Sequence, residues 1–468
     1  MTTSTLRTQR VISVVAATLI SLASGTNYAY SAWAPQFAER MKLSSKESNL
    51  IGAAANLGMY APGIPLGLLI DGKGPRIALL IGAAALGIGY YPIHLAYEKG
   101  RGSTSVGLLL VFSFLTGLGG CSAFSAAIKA AATNFPDHRG TATSFPLAAF
   151  GLSAFVFSTI SSLVLKGDTG EFLLLLSFGT SIMILVSSVF LRVIPTQSSY
   201  APLPHHETED GRGVRRSRLV MADEIDIRGL ALLHKLEFWQ LFLIMGLLSG
   251  IGLMTINNIG NNTKALWKYY DDSVDSKFIL HRQVMHVSTL SICSFIGRLL
   301  SGVGSDLLVK KLHMSRFWCL LISALVFTLT QMASFSVSNP HHLILVSALT
   351  GLAYGFLFGV FPSLVAHTFG IAGMSQNWGV MTLAPVISGN VFNLLYGSIY
   401  DHHSVIGPKG ERECSEGLQC YQAAYYVTFF SGLAGVVVCL WSIWQEKRVH
   451  GAVVFGAKPK PVHHERLA

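Results

Sequence analysis

The chain has 468 residues, and its charged fraction of 12% is about half the roughly 25% that is usual in soluble proteins. Its net charge of +10 would suit a nucleic-acid partner, but Lys and Arg do not cluster with aromatic residues in a recognisable nucleic-acid module. With 51% hydrophobic residues, the composition instead predicts an integral membrane protein that binds no nucleic acid.

Twelve apolar stretches are long enough to cross a bilayer as helices, which takes about 20 residues each. The first of them continues past any small-residue cleavage site, so we expect no cleaved signal peptide. The chain is therefore predicted to be all-α. The predicted spans are residues 11–33, 48–70, 77–97, 105–130, 141–165, 172–194, 236–260, 283–308, 317–337, 343–366, 378–400 and 421–444.

One long polar stretch, residues 195–235, separates the sixth span from the seventh and has the composition of a flexible linker. It divides the chain into a six-helix bundle at 1–194, a second bundle at 236–445 and a tail at 446–468. Of the 34 Lys and Arg residues, twenty lie on the side of the termini and linker and twelve on the other side, while Lys129 and Arg298 lie within spans. The positive-inside rule therefore predicts cytoplasmic N- and C-termini.

A glycine–acid motif follows the second span and recurs in the second half of the chain. Gly67 precedes Asp71 by four residues and Gly302 precedes Asp306 by the same interval, with a displacement of 235 since 302 − 67 is 235. Such a repeat predicts duplicated bundles, and small residues let helices approach closely. We assign the motif residues to a gate, meaning contacts that hold one side of the molecule closed. The predicted gate residues are Gly67, Asp71, Lys73, Arg76, Arg139, Gly302 and Asp306.

The two halves, the linker and the loop from Gly67 to Arg76 resemble the major facilitator superfamily. Finer resemblances, to its nodulin-like branch and to fungal monocarboxylate-transporter homologues, lie at residues 25–35, 134–140, 256–260, 294–298, 377–379 and 392–393. The resemblance implies two pseudo-symmetric six-helix bundles that rock about a solute site near the bilayer midplane. Authentic monocarboxylate carriers have an aspartate one turn before the span-eight arginine and a lysine in span one. Here Ser294 precedes Arg298, and span one has no lysine.

Arg298 is the most informative charged residue, because a guanidinium within a membrane span costs at least ~2.5 kcal/mol and faces a cavity or a partner. It either binds an anionic solute bidentately or forms a structural bond near the gate. Lys129 either contacts the solute or extends to the membrane surface. Amides and hydroxyls in the first, seventh and eleventh spans either line a cavity or bond between helices. The cavity candidates are Asn27, Tyr28, Tyr30, Ser31, Lys129, Asn257, Asn258, Arg298, Asn390 and Asn393.

Two features are predicted on the side opposite the termini. Cys414 and Cys420 share the loop between the last two spans, where an oxidising environment would allow a disulfide; two free thiols are the alternative. Asn261 begins an Asn-x-Thr sequon at the end of span seven and is a candidate glycosylation site, although it lies very near the membrane.

We expect a transporter of a small anionic or zwitterionic solute, by alternating access, rather than an enzyme. The sequence has no nucleophile elbow, Walker loop or zinc-binding helix, and its adjacent histidine pairs lack further ligands, so we expect no cofactor and no metal. Proton coupling has little support, because no Asp or Glu lies at the centre of a span; a uniporter, or coupling through His94 or another group, stays open. A non-transporting nutrient sensor or scaffold is the alternative, and a channel is a third. We expect a monomer in lipid; resemblance to the fungal branch implies the vacuolar membrane, with the plasma membrane as the alternative.

Overall fold

The computed structural model describes residues 3–43, 45–165, 168–194, 227–406 and 412–454. These residues are almost entirely α-helical. The first half forms α1 (Thr3–Ser24), α2 (Tyr30–Met41), α3 (Ser45–Tyr60), α4 (Gly63–Lys73), α5 (Pro75–Lys99), α6 (Val106–Asn134), α7 (Arg139–Val164), α8 (Thr169–Leu174) and α9 (Thr180–Phe190). The second half forms α10 (Leu236–Tyr270), α11 (Ser276–Leu312), α12 (Phe317–Ser334), α13 (Leu343–Phe369), α14 (Met374–Met381), α15 (Leu383–His402) and α16 (Gln422–Val454).

Twelve helical stretches in this described part are long and apolar enough to cross a membrane. Each overlaps one predicted span, so the all-α, twelve-span prediction is confirmed. The largest differences are in the first span, which begins at Leu6, and in the seventh, which continues to Tyr270. The seventh continues because the amide of Asn262 bonds inside the bundle to Tyr396 and Tyr425, so its polar residues do not end the helix.

Four spans are interrupted within their length. In the sixth, a π-helical segment at Leu175–Gly179 separates α8 from α9. A 3-10 turn at Thr26–Ala29 follows α1 in the first span. In the second, α3 ends at Tyr60 just before Pro62, which has no N–H with which to continue the helix. In the eleventh, α14 ends at Met381, whose carbonyl would need a donor at the position of Pro385. Residues at the breaks in the first, second and eleventh spans line the cavity described below.

Buried apolar side chains group by half of the chain. One large cluster contains only residues of the first half, and two others contain only residues of the second half. A smaller cluster joins both halves, with Met59, Phe124 and Phe150 beside Ala366 and Met374. The fold is therefore two six-helix bundles with an apolar seam between them.

The predicted linker and tail lie partly outside the described residues. Of the linker, residues 195–226 are not described, whereas 227–235 pack on the second bundle and include a 3-10 turn at Gly229–His234. Helix α16 extends to Val454, which is within the predicted tail, and residues 455–468 are not described. The domain boundaries at 194 and 236 stay predictions.

A short hairpin contains the only strands among the described residues. Strands β1 (Val405–Ile406) and β2 (Arg412–Glu413) pair antiparallel in the connection between α15 and α16. Gly417 follows in the left-handed region with φ of 63°, and its backbone packs against the ring of Tyr269 at the end of α10. This connection therefore folds back over the second bundle.

Candidate functional site

Two aspartates each join a helix of one bundle to the start of a helix in the other. Asp71, near the end of α4, accepts hydrogen bonds from the backbone N–H groups of Ser375 (3.3 Å) and Gln376 (2.9 Å) in α14. Its carboxylate also pairs with the ammonium of Lys129 at 3.0 Å. The first N–H groups of a helix have no partner in that helix and have partial positive charge, so a carboxylate stabilises them.

The ammonium of Lys129 also links the bundles directly. It donates hydrogen bonds to the backbone carbonyls of Ile371 and Ala372, in the turn between α13 and α14. This cation was predicted as a cavity candidate, but it is not among the described lining residues, because it lies near the end of α6 and extends to that turn beside Asp71. Arg139 crosses the same interface and donates to the carbonyl of Ala366 at 3.3 Å.

Asp306, near the end of α11, repeats the arrangement of Asp71. It accepts the backbone N–H groups of Gly140 (3.2 Å) and Thr141 (2.7 Å) at the start of α7, and the Thr141 hydroxyl at 2.8 Å. Arg316 pairs with this carboxylate at 2.9 Å. The two arrangements share the sequence displacement, since 306 − 71, 375 − 140 and 376 − 141 are each 235. The repeat therefore extends to the contacts between the bundles.

Glycines let these helix pairs meet closely. A Cβ atom on Gly67 would overlap the backbone carbonyl of Ser375, and one on Gly302 would overlap the side chain of Ser144. Neither position has space for a side chain, as expected for small residues where helices cross in a membrane.

Lys73 and Arg76 do not take the predicted part in the gate. Both side chains are exposed, and neither forms an ion pair with another described residue. Lys73 follows Asp71 by two residues, which is about 200° around an α-helix, so it lies away from the face that binds α14. The cations that pair with the two gate aspartates are Lys129 and Arg316 instead.

A cavity lies between the bundles, next to these contacts. Half of its lining residues are aromatic, and a single one is charged. The space between the lining atoms is about 420 Å³ when open solvent is included, and its enclosed part has room for only about one or two water molecules in this state. The lining residues are Tyr28, Met59, Tyr60, Gly63, Cys121, Phe124, Ser125, Phe150, Arg298, Phe358, Trp378 and Thr382.

Arg298, in α11, is the charged residue of the cavity and is only 2% exposed. Its guanidinium donates a hydrogen bond of 2.6 Å to the carbonyl of Leu147, in α7 of the other bundle. The rings of Phe150 and Phe358 each lie 5.7 Å from its Cζ, within cation–π range. Among the described residues no carboxylate pairs with it, and its Nε has no hydrogen-bond partner. A buried cation without a counter-ion is costly, so this arrangement suits an anionic ligand.

Of the four candidates in the first span, Tyr28 lines the cavity, and its hydroxyl lies 3.2 Å from that of Tyr60. Asn27 is buried inside the first bundle, where it donates to a backbone carbonyl of α3 at 3.2 Å. The ring of Tyr30 packs edge-to-face on a tryptophan of its own helix. The side chain of Ser31 lies outside the described part of the structure. The break after α1 therefore separates these neighbours in space.

The four asparagine candidates of the second bundle do not form a single site. Asn258 donates to the side-chain oxygen of Asn393 at 2.9 Å, which joins α10 to α15. Asn390 is exposed and donates to the carbonyl of Val386 in its own helix. Asn257 is also exposed. These four described side chains lie outside the cavity lining, and two of them bond helix to helix.

The sequence analysis missed the aromatic part of the lining. Tyr60, Phe124, Phe150, Phe358 and Trp378 line the cavity, but aromatic residues are common throughout membrane helices and their spacing here is not distinctive. The sequence signals that could have located the cavity were Pro62 and Pro385, which lie beside helix breaks whose residues line it.

Comparison with known proteins gives independent support for the twelve-helix fold described above. The family model described as Nodulin-like matches residues 10–210. An uncharacterized membrane protein of Saccharomyces cerevisiae is 28% identical, over 89% of this chain and 91% of its own length. The probable transporter MCH1 of Candida albicans is 25% identical, over 93% of this chain and 92% of its own length. A crystal structure of the major facilitator superfamily transporter FucP, in the outward conformation, matches with a TM-score of 0.59 at 14% identity and covers 91% of this chain and 99% of that one. The chain therefore has the same fold as this transporter.

The chain that leaves the first bundle is anchored close to the contact that Asp306 makes with α7. Asn134, the last residue of α6, donates to the carbonyl of Arg192 at 2.8 Å and accepts the N–H of Ile194 at 2.8 Å. Its amide also donates to the hydroxyl of Ser13 at 3.0 Å, and the side chain is fully buried. Asn134 directly precedes the turn into α7, whose first amides bind Asp306.

The chain that enters the second bundle is anchored in a corresponding place. The N–H of Ile227 donates to the carbonyl of Phe369 at 2.9 Å, and its carbonyl accepts from the amide of Asn377 at 2.8 Å. The side chain of Arg228 packs against Gly373. These contacts flank the turn into α14, so the described chain on each side of residues 195–226 is attached next to a helix start that Asp71 or Asp306 binds.

In the connection between α15 and α16, Cys414 and Cys420 are joined by a disulfide. Asn261 is exposed, but it lies inside the continuous helix α10. Thr263 of its sequon is fully buried and donates to the carbonyl of Ile259. The sequon therefore does not lie in the surface loop that is typical of glycosylation sites.

Proposed function

We propose that this chain is a secondary transporter that moves a small organic anion by alternating access to the cavity between its two bundles. The observation that supports this proposal most is Arg298, a buried guanidinium with no acidic partner among the described residues, in a cavity that both bundles line. A guanidinium binds a carboxylate through two parallel N–H···O bonds, and its unpartnered Nε has a donor available for one of them.

The lining favours a monoanion with an apolar and flat body. A single cation balances one negative charge, and a second carboxylate would be buried without a partner. The ammonium of an amino acid would find no carboxylate in the lining. The six aromatic rings offer faces and edges to an aromatic or other apolar group. We therefore favour aromatic or short apolar monocarboxylates over sugars, dicarboxylates and amino acids.

The aspartate contacts support the alternating part of the proposal. Asp71 and Asp306 join the bundles at one face, which we call the gate face, and solute could leave through that face only after these bonds break. Helix α4 ends the second span there, so with an even number of spans both termini lie on the gate face. The excess of Lys and Arg on that side supports a cytoplasmic gate face.

The proposal extends to location, coupling and assembly. Resemblance to the fungal branch supports the vacuolar membrane, which a fluorescent fusion imaged against vacuolar and plasma-membrane markers would test. Among the described residues, the cavity lining has no acidic side chain to bind a proton, which favours movement of the anion without proton coupling. We propose a monomer, because each protein has its own complete cavity.

Uptake by the purified protein in liposomes tests the proposed function, with radiolabelled phenylpyruvate as the probe. The wild type should take up the probe with saturation, and Arg298→Ala should lose uptake while it still inserts and stays folded. Arg101→Ala, which removes an exposed arginine outside the cavity, is the matched control and should transport normally. Uptake by Arg298→Ala at the wild-type rate would refute the proposal that Arg298 binds the solute. Saturable binding without uptake would favour the sensor alternative.

A further inference from the structure

We propose that this carrier is an anion exchanger, which reorients rapidly only while an anion occupies the cavity. The inference rests on the proposed function and concerns how the empty carrier behaves. One hydrogen bond between the bundles is central to this behaviour. Arg298 belongs to the second bundle, and its hydrogen bond of 2.6 Å ends on the carbonyl of Leu147 in the first. The group best suited to bind solute thus also bonds the two bundles to each other.

This bond lies on the interface that alternating access has to rearrange. Helices α7 and α11 meet at the gate through Gly140 and Asp306, and they meet again at Leu147 and Arg298. Leu147 follows Gly140 by seven residues, or about 10 Å along α7. Movement of α7 that releases the gate aspartate therefore also displaces the carbonyl from the guanidinium.

In the empty carrier, that movement leaves a buried cation without a hydrogen-bond acceptor. The Nε of Arg298 already lacks a partner, and no described carboxylate is paired with the side chain. The ring of Phe150 lies on α7 as well, so one of its two cation–π contacts is also disturbed. Arginine does not lose its proton in proteins, so the charge cannot be removed. The empty carrier therefore has a barrier that arises from this side chain.

A bound anion removes that barrier. Its carboxylate accepts hydrogen bonds from Arg298 in place of Leu147 and neutralises the charge, so the loaded carrier reorients with the cation paired throughout. Net transport requires the empty carrier to return, whereas exchange of one anion for another does not. Because no described residue of the lining is an acid, no acidic side chain there offers a proton in place of the anion on the return step.

Gly151 provides a variant that changes the contact and keeps the cation. A Cβ atom at this position of α7 would lie 3.1 Å from Cζ and 3.2 Å from Nε of Arg298. Gly151→Ala should therefore push the guanidinium away from the carbonyl of Leu147 and speed the return of the empty carrier. Gly397→Ala in α15 is the matched control, because a Cβ there would have no atom within 4 Å.

The experiment measures initial uptake of radiolabelled phenylpyruvate into liposomes that are either empty or preloaded with unlabelled phenylpyruvate. Valinomycin with equal potassium on both sides keeps net charge movement from limiting the rate. We expect at least about tenfold faster uptake into preloaded vesicles for the wild type and Gly397→Ala, which corresponds to about 1.4 kcal/mol. For Gly151→Ala the ratio should fall toward one, through faster uptake into empty vesicles.

Arg298→Lys gives a second measurement that does not depend on the glycine variant. A lysine can lose its proton and an arginine cannot, so the preloading ratio should fall between pH 7 and 9 in this variant and stay constant in the wild type. Equal wild-type rates into empty and preloaded vesicles would overturn the exchange inference and leave transport standing. Absence of uptake into both kinds of vesicle would overturn the proposed function, and exchange with it.

Discussion

Replacement of Asp306 by asparagine should shift the protein toward a state that is open at the gate face. The carboxylate accepts three hydrogen bonds from Gly140 and Thr141 and pairs with Arg316. Hydrogen bonds to a charged group contribute about 1.5–3 kcal/mol each, and neutral ones are about half as strong. Loss of one bond and weakening of the others gives a shift of about 3 kcal/mol, which is about 100-fold in the equilibrium between the two states.

Alkylation of a native thiol can measure this shift. Cys121 lines the cavity and is 4% exposed, so a membrane-impermeant maleimide applied at the gate face should reach it only in the open state. Serine replacements at Cys293, Cys319 and Cys439 would leave it as the reactive thiol. The labelling rate from the gate face should rise by up to about 100-fold in Asp306→Asn.

Lys73→Ala is the matched control, since this side chain is on the same face, is exposed and has no ion pair among the described residues. It should label like the wild type. The reasoning fails if Asp306→Asn labels at the wild-type rate. A similar rise in both variants would mean general loosening of the fold instead of gate opening, and a thermal unfolding scan would detect it.

Four further predictions follow from other contacts. Lys129→Ala should raise labelling of the same thiol, because its bonds to the turn before α14 are lost, and Lys129→Arg should restore part of the closed state. Serine at Cys414 and Cys420 should lower stability by about 2 kcal/mol in thermal unfolding, as expected for a short closed loop, and alkylation of the wild type should label these thiols only after reduction. Asn261→Gln should leave electrophoretic mobility unchanged; a glycosidase-sensitive shift in the wild type would contradict this. Asn134→Ala should cost about 1–3 kcal/mol in the same unfolding assay, since buried partners of its amide lose their bonds.

The twelve spans were predictable because a bilayer requires about 20 apolar residues for each crossing, and this requirement leaves a strong trace in the sequence. The gate aspartates were also predictable, since the Gly-x-x-x-Asp spacing recurs. Their partners were not. The groups that bind Asp71 and Asp306 are mostly backbone amides of distant helices, and every residue has such an amide. Only packing selects which of them lie at a carboxylate.

Arg298 could be identified from its charge within an apolar stretch, but its surroundings could not. Its acceptor is the carbonyl of Leu147, which is 151 residues away in sequence. The asparagines of the seventh and eleventh spans were predicted to line the cavity, but the hydrogen-bond partners of Asn258, Asn390 and Asn393 lie within the second bundle. An amide in a membrane helix always needs a hydrogen-bond partner, and Asn258 and Asn393 provide one for each other without any solute. Polar residues in membrane helices are easy to recognise in a sequence, but here they hold the bundle together. The aromatic residues that surround the cavity cannot be told from other aromatic residues in the sequence.

The anchoring of the linker has a consequence for how the gene can be divided. Asn134 holds Ile194 within the first bundle, and Phe369 and Asn377 hold Ile227 within the second, so neither attachment depends on the peptide that runs from one to the other. Two separately translated polypeptides, cut anywhere in residues 195–226, would each keep their own attachment and the cation that pairs with their own aspartate, and the backbone amides that each aspartate binds would come from the other piece. Co-expression of the two pieces should therefore reconstitute a working carrier without covalent continuity.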